Sequence, residues 1–334
     1  MKIRIATRWI GENSPVFIIA EGGINHNGNI KIAKQLIIKA KESGADAIKF
    51  QTFKAEDLAS PKSRFFKVFR RTELSYEEFG ELSDFAKSNK IIFFSTPFSN
   101  DAVDLLSRLN APAFKIASGD LTNIPLIKYV ATKNKPVIIS TGMADINDVK
   151  YAVRAIRSTG NNKIIIMHSV SAYPTPLTET NLSSISQLSK VFPYPIGYSD
   201  NGKNLLVPLI AVAVGAKIIE KHLIVSKKSK SPDSSISATP SQFKMLIKNM
   251  LEVKSMLGDG NKHCQPSELE NRINARRSIT ASVAIKKGTK LTMNMIKIQR
   301  PATGIPPMHL HKVIGKKTRK NIEVSESIKW SDLK

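Results

Sequence analysis

Eight short apolar runs in this 334-residue chain end on, or run directly into, side chains better suited to chemistry than to packing. They are Glu21, Lys49 with Gln51, Ser95 with Thr96, Lys115 with Ser118, Ser140 with Thr141, His168, Ser199 with Asp200, and Glu220 with His222. Lys49 and Lys115 lie inside otherwise apolar runs, where an unpaired buried ammonium is costly, so each requires an anionic partner. A bound phosphate or carboxylate would supply it. The hydroxyls of Thr96, Ser118, Ser140 and Ser199 add donors for the same anion, and the Ser118–Asp120 stretch adds backbone N–H groups. Glu220 and His222, two residues apart, share one side of an extended strand. His222 fits a divalent-metal ligand or, equally, a core histidine held by a hydrogen bond, since spacing alone reveals a single partner.

These residues can meet only if the runs that carry them are parallel neighbours. The runs are Val16–Ala20, Asp46–Phe50, Ile91–Ser95, Ala113–Ala117, Pro136–Ser140, Lys163–His168, Pro195–Ser199 and Ala216–His222. Amphipathic helical patterns separate most of them, as over Ile30–Ser43, Tyr76–Asn89, Asn100–Leu109, Ile146–Thr159 and Leu205–Val214. Strands joined through helices pair in parallel, because a parallel crossover needs a dozen or more residues. Eight such units predict an α/β fold closed as a (β/α)8 TIM barrel, with the polar residues on its C-terminal rim, where active sites of this fold sit. The barrel domain is expected over residues 1–260, with a last helix at Pro240–Leu257. A polar linker is expected over 261–276 and a small β-rich domain over 277–334.

The formal net charge is +24, which attracts anions of every kind. No basic helix interleaved with aromatics, recognition helix or aromatic RNA-binding strand accompanies it, so the lysines read as a solvated surface and nucleic acid is not an expected partner. The one cysteine, Cys264, excludes an intrachain disulfide and a thiolate zinc cluster, and a cytoplasmic location is expected. The longest apolar stretch, Val207–Ala216, is too short to span a bilayer, so no membrane association is expected.

The chain resembles the N-acetylneuraminate (sialic acid) synthase family, which includes legionaminic and pseudaminic acid synthases. The resemblance runs through AEGGINHNG at Ala20–Gly28, IKFQTF at Ile48–Phe53, STPFS at Ser95–Ser99 and FKIASGD at Phe114–Asp120. It continues in STGM at Ser140–Met143, YPTP at Tyr173–Pro176, GYSDN at Gly197–Asn201, IEKH at Ile219–His222 and SPD at Ser231–Asp233. It implies that phosphoenolpyruvate condenses with an N-acylated amino sugar, N-acetylmannosamine or a 2,4-diacetamido-dideoxy hexose, to a nonulosonic acid with release of phosphate. In that mechanism C3 of phosphoenolpyruvate attacks the sugar aldehyde, and water adds at C2 before phosphate leaves. By the same resemblance Lys49, Thr96, Lys115, Ser118, Ser140 and Ser199 cradle phosphoenolpyruvate. Gln51, Tyr173, Asp233 and Glu21 hold the sugar, and Glu21 handles a proton, with Glu220 second. A divalent ion bound by His222 and Asn201, manganese first and magnesium or cobalt as alternatives, would polarise the aldehyde.

The C-terminal region, with RPATG at Arg300–Gly304, resembles that family's antifreeze-like (SAF) domain. This implies a domain-swapped homodimer in which Arg300 reaches the sugar in the partner's barrel. The chain departs from the family pattern where Asn201 replaces a metal-ligand histidine, Asp120 replaces a glutamate, and Ser171 stands where asparagine or threonine is common. An oxygen donor at 201 lowers metal affinity and favours harder ions. The alternatives are another phosphoenolpyruvate-dependent aldose-condensing barrel enzyme, a catalytically impaired sugar-binding homologue, and a non-catalytic nucleic-acid-binding protein. The acceptor's identity rests on loop contacts such as those in Lys54–Thr72.

Overall fold

An antiparallel hairpin, β1 (Lys2–Ile5) and β2 (Arg8–Gly11), opens the computed structural model, which describes all residues, 1–334. Eight parallel strands follow. They are β3 (Phe17–Gly23), β4 (Ala47–Thr52), β5 (Ile92–Pro97), β6 (Phe114–Ile116), β7 (Val137–Ser140), β8 (Ile164–Ser169), β9 (Ile196–Asp200) and β10 (Ile218–His222). Each pairs with the next, and β10 pairs back onto β3 to close the barrel. The expected (β/α)8 architecture is therefore the observed one.

Helices supply the crossovers: α1 (Ile30–Glu42), then two short helices α2 (Ala55–Leu58) and α3 (Phe66–Thr72), then α4 (Tyr76–Ser88) and α5 (Asn100–Arg108). α6 (Ile124–Thr132), α7 (Ile146–Arg157), α8 (Ser183–Val191), α9 (Leu206–Ala213) and α10 (Pro240–Leu257) complete the ring. Their starts are written locally. Asn29 caps α1 by accepting from Lys31 and Ile32 N–H, and Ser75, Asp145 and Thr239 form capping boxes for α4, α7 and α10.

The period of two along each strand divides the core into two layers. Outward residues such as Ile18, Ile48, Phe114, Ile139 and Ile166 pack beneath the helices. Inward residues Phe17, Ile19, Phe94, Ile138, Met167 and Ile218 fill the lower barrel, and Ile3, Ile5 and Ile10 of the hairpin join that cluster. Arg8 pairs with Asp46, whose other carboxylate oxygen accepts the Ile18 N–H at 2.8 Å, which ties the hairpin to the strands above it. Gly197 belongs to this packing because a Cβ there would lie 2.2 Å from Ile218 Cγ2.

The chain divides into two units, Met1–Gly258 and Asp259–Lys334. The interval expected as a polar linker is not all coil, since Gln265 and Glu268 form a capping box ahead of α11 (Leu269–Ala275). The second unit has its own core, including Ile279, Ile285, Leu291, Ile305, Val313 and Ile328. Its regular structure is sparse: β11 (Ser278–Ala281) pairs antiparallel with β12 (Ile296–Gln299), supplemented by isolated bridges.

Candidate active site

Along each inward row the apolar residues give way to polar ones at the C-terminal end of the strand. β3 runs Phe17, Ile19, Glu21; β4 runs Ala47, Lys49, Gln51; β10 runs Ile218, Glu220, His222. The parallel register sets Glu21 beside Lys49 and Glu220 beside Ser199. The upper barrel therefore opens into a cavity of about 710 Å³ lined by every residue that the family resemblance assigns to substrate or metal except Arg300. Arg300 lies in the second unit, on an exposed stretch directly after β12.

The floor of the cavity is a cluster of four buried charges. Lys49 Nζ lies 2.7 Å from Glu21 Oε2 and 3.5 Å from Glu220 Oε1, and Lys115 Nζ lies 3.3 Å from Glu220 Oε2. None of the four side chains exceeds 6% exposure. The anionic partners that the two lysines require are thus protein carboxylates, which corrects the expectation that a bound anion alone would supply them. Two ammoniums and two carboxylates sum to zero, the arrangement in which burying charge costs least.

The four groups are not equivalent. Burial drives Glu21 upward, and Glu220 adds to this, while Lys49 only partly opposes it. Burial also raises Glu220, but Lys115 and Lys49 outweigh it and hold that carboxyl down to about 2. Lys49 is raised because Glu21 and Glu220 together overcome the penalty of burial, whereas burial dominates at Lys115 and lowers it. Glu220 is therefore a fixed anion and Lys49 a fixed cation. Glu21 and Lys115 are the two members whose charged forms burial disfavours most.

Hydroxyls surround this cluster. Lys49 donates to Thr96 Oγ1 at 3.2 Å, and Ser199 Oγ donates to Glu220 Oε1 at 3.2 Å. Ser118 Oγ accepts from the Gly142 N–H at 3.1 Å, which leaves its own proton free. A Cβ at Gly142 would meet Ser171 Oγ at 2.3 Å and Ser118 Oγ at 2.9 Å, so a larger residue there would displace both hydroxyls. Ser140 Oγ is buried with no partner at all. Such an atom costs about 1–3 kcal/mol unless something binds it, which marks the place a ligand would occupy.

On the other side, Gln51 Nε2 donates to Glu21 Oε1 at 3.5 Å, and the Tyr173 ring stands edge-on to His222 at 6.5 Å. His222 Nδ1 is buried without a hydrogen-bond partner and faces Asp233 Oδ2 at 3.5 Å. Asn201 donates its amide to Val170 O at 2.8 Å and Ser169 Oγ at 3.3 Å, so its carbonyl oxygen is not needed as an acceptor there. No three His, Cys, Asp or Glu side chains gather as a metal cage. The donors present fit an open site in which the protein gives an imidazole nitrogen and an amide oxygen and the rest come from substrate and water. A set this rich in oxygen suits a hard divalent ion.

Some strand-end residues do not join the site. Ser95, His168 and Asp200 lie on the outward parity, one residue out of step with Thr96, Ser169 and Ser199. Ser95 bonds Thr52 at 2.7 Å, His168 Nε2 pairs with Thr180 O at 2.8 Å, and Asp200 takes Lys221 at 2.7 Å beneath the helices. Thr141 donates to Met167 O and lines a separate cavity with His168. Conversely, Arg64, Phe65, Val68 and Phe69 line the site without having been assigned individually. Their signal was an aromatic and basic run, SRFFKVFRR, in a connection where polar residues are usual.

Fold and site together define a parallel barrel protein whose C-terminal rim holds a compensated charge cluster in a cavity of mixed polar and apolar lining that includes an imidazole and an amide oxygen. The chain belongs to the NeuB family, which matches residues 36–262, and a SAF domain matches residues 276–334. It is 46% identical to an uncharacterized protein of Methanocaldococcus jannaschii over 99% of this chain and 98% of that one. It is 36% identical to the N,N'-diacetyllegionaminic acid synthase of Legionella pneumophila, over 97% of this chain and 96% of that one. The crystal structure of an N-acetylneuraminic acid synthetase from Leptospira borgpetersenii superposes with a TM-score of 0.78 at 35% identity, covering 81% of this chain and 95% of that one.

Proposed function

We propose that the chain condenses phosphoenolpyruvate with an N-acylated amino sugar to give a nonulosonic acid and inorganic phosphate. The observation that carries this reading is the neutral Lys49–Glu21–Glu220–Lys115 cluster under the orphaned Ser140 hydroxyl. Phosphoenolpyruvate sits over this cluster with its anionic groups on Lys49, Lys115 and the hydroxyls of Thr96, Ser118, Ser140 and Ser199. Its charge pushes the already raised Glu21 further up, so Glu21 takes a proton as the substrate enters.

C3 of phosphoenolpyruvate then forms a bond to the sugar aldehyde carbon, and Glu21 delivers its proton to the aldehyde oxygen. Water adds at the electron-poor C2, and its proton returns to Glu21. The C2–O bond to phosphate breaks as the new C2 hydroxyl loses its proton, which leaves the ketone and free phosphate. Glu220 stays ionised throughout and holds Lys49 and Lys115 in place. A divalent ion held by His222 and Asn201, manganese by preference, would supply Lewis acidity at the aldehyde oxygen. Gln51, Tyr173 and Asp233 orient the polyol.

We further propose a homodimer in which Arg300 of one subunit serves the partner's sugar site, and a cytoplasmic location where phosphoenolpyruvate is available. No helix is long and apolar enough to cross a membrane. Phosphate release is measured with phosphoenolpyruvate, manganese, magnesium or cobalt, and either N-acetylmannosamine or a 2,4-diacetamido-dideoxy hexose. Release that depends on both substrates supports the reading. No release with any sugar and any of these metals defeats it.

A further inference from the structure

A second cavity, of about 260 Å³, lies between the C-terminal ends of β7 and β8 and the first turns of α7 and α8. It shares only the Ser169 wall with the cavity over the charge cluster. The groups that face it are unused by the fold. His168, 8% exposed, donates its Nε2–H to Thr180 O at 2.8 Å and leaves Nδ1 without a protein partner. A carbonyl oxygen can only accept, so Nε2 carries the proton, and burial holds the imidazole below its usual pKa. Nδ1 is therefore a bare acceptor at neutral pH.

Asp145 accepts the Asn147 and Asp148 N–H groups on Oδ1 alone, which leaves Oδ2 open. Glu179 makes neither an ion pair nor a side-chain hydrogen bond, and the Asn181 and Gln187 amides are equally free. Met143 stands at the edge, 76% exposed and with φ at +65°, a conformation that side chains other than glycine rarely adopt. A strained apolar residue left in water beside open acceptors is a place where a ligand's carbon skeleton would find cover.

Charge narrows the ligand class. The chain carries +24, yet no lysine or arginine lines this cavity, and Asp145 with Glu179 makes it locally anionic. An anion is repelled. A bare metal ion is not held either, because no three acidic or imidazole groups come close enough to share one. A hydroxyl offers one proton to these acceptors, whereas an ammonium offers three together with the opposite charge. We propose that this cavity binds a small organic cation, a primary ammonium compound whose N–H groups reach His168 Nδ1, Asp145 and Glu179 and whose carbon chain lies against Met143. The volume is below that of sites for drug-sized ligands, which fits a short chain.

The probe is 1,4-diaminobutane, titrated calorimetrically into the full chain at pH 7, with 1,4-butanediol as its neutral counterpart. The diamine should saturate one site per chain with a Kd below about 1 mM, and the diol should bind at least about tenfold more weakly. Glu179→Gln changes an exposed side chain outside the charge-cluster cavity and should weaken the diamine about tenfold or more. With the histidines labelled by nitrogen-15, the His168 Nδ1 resonance should move upfield as the diamine is added, in the direction of a newly accepted hydrogen bond. No saturable binding, equal affinity for the diol, or unchanged affinity in Glu179→Gln overturns the site. Binding that leaves the His168 resonance unmoved places the diamine elsewhere and overturns it as well.

Discussion

Replacing Glu220 by Gln tests the charge cluster directly, because it removes the one carboxylate that both lysines share. Lys115 lies 3.3 Å away and Lys49 3.5 Å away, so each contact carries about 5 kcal/mol of gross attraction at an effective dielectric near 20. Desolvation offsets most of that. The net follows from Glu220 itself: a fall from 4.5 to about 2 corresponds to about 3 kcal/mol of stability at neutral pH. Removing one member of a buried pair costs about 3–5 kcal/mol in general, in agreement. At roughly 2–4 °C per kcal/mol for a unit of this size, Glu220→Gln should melt about 6–12 °C below wild type at pH 7.

The deficit should depend on pH with a definite sign. In wild type Glu220 stabilises above pH 4.5 and loses that contribution as pH falls toward 2, so the two proteins converge in acid. In the variant Lys115, already lowered, drops further, and the unfolded chain binds a proton that the folded chain does not. Stability then rises with pH toward the ordinary lysine value of 10.5, and the deficit narrows again in base. Inorganic phosphate should raise the melting temperature of the variant more than that of wild type, since the variant cavity has lost an anion. Thermal unfolding by circular dichroism across pH 3–10 reads all three. A melting temperature within about 1 °C of wild type at pH 7, or a deficit that widens in base, would refute the compensated cluster.

Lys115→Ala should abolish phosphate release, by at least about 10²-fold, and near-normal turnover would remove Lys115 from the anion site. Asn201→His should tighten manganese binding in calorimetric titration by adding an imidazole beside His222, and unchanged affinity would mean that position 201 does not face the ion. Burial lowers His26 to about 4, so it is neutral when folded and the protein loses about 3 kcal/mol as pH falls from 6.5 to 4. Denaturant titrations of His26→Phe should show that slope flattened, and a retained slope would assign it to another group.

The barrel was legible in the chain because its signals are local. A run of β-branched residues, a capped amphipathic helix and another run leave a parallel crossover as the only economical connection, and Asn29, Ser75 and Thr239 mark the helix starts residue by residue. Many of the polar side chains that line the cavity also stand out in the sequence, because polar residues at the ends of apolar runs differ from their surroundings in composition. Their orientation was not legible. A barrel strand is buried on both faces, so IIIMHS carries no alternation to say whether His168 or Ser169 points inward, and the closed register decided for Ser169.

Partners were hidden for a related reason. Glu220 meets Lys115 from 105 residues away, across the barrel, and no spacing in the sequence encodes a contact made through closure. The lysines announced that they needed anions, and only the tertiary structure decided that the protein provides them. The same holds for Phe65 and Phe69, which stand in the 54–72 connection of the sequence and are found to line the cavity only in the closed fold. Backbone periodicity is a short-range property, so sequence determined the scaffold and the inventory. Electrostatic pairing and cavity shape depend on distances across the fold, and those exist only once the ring of strands has closed.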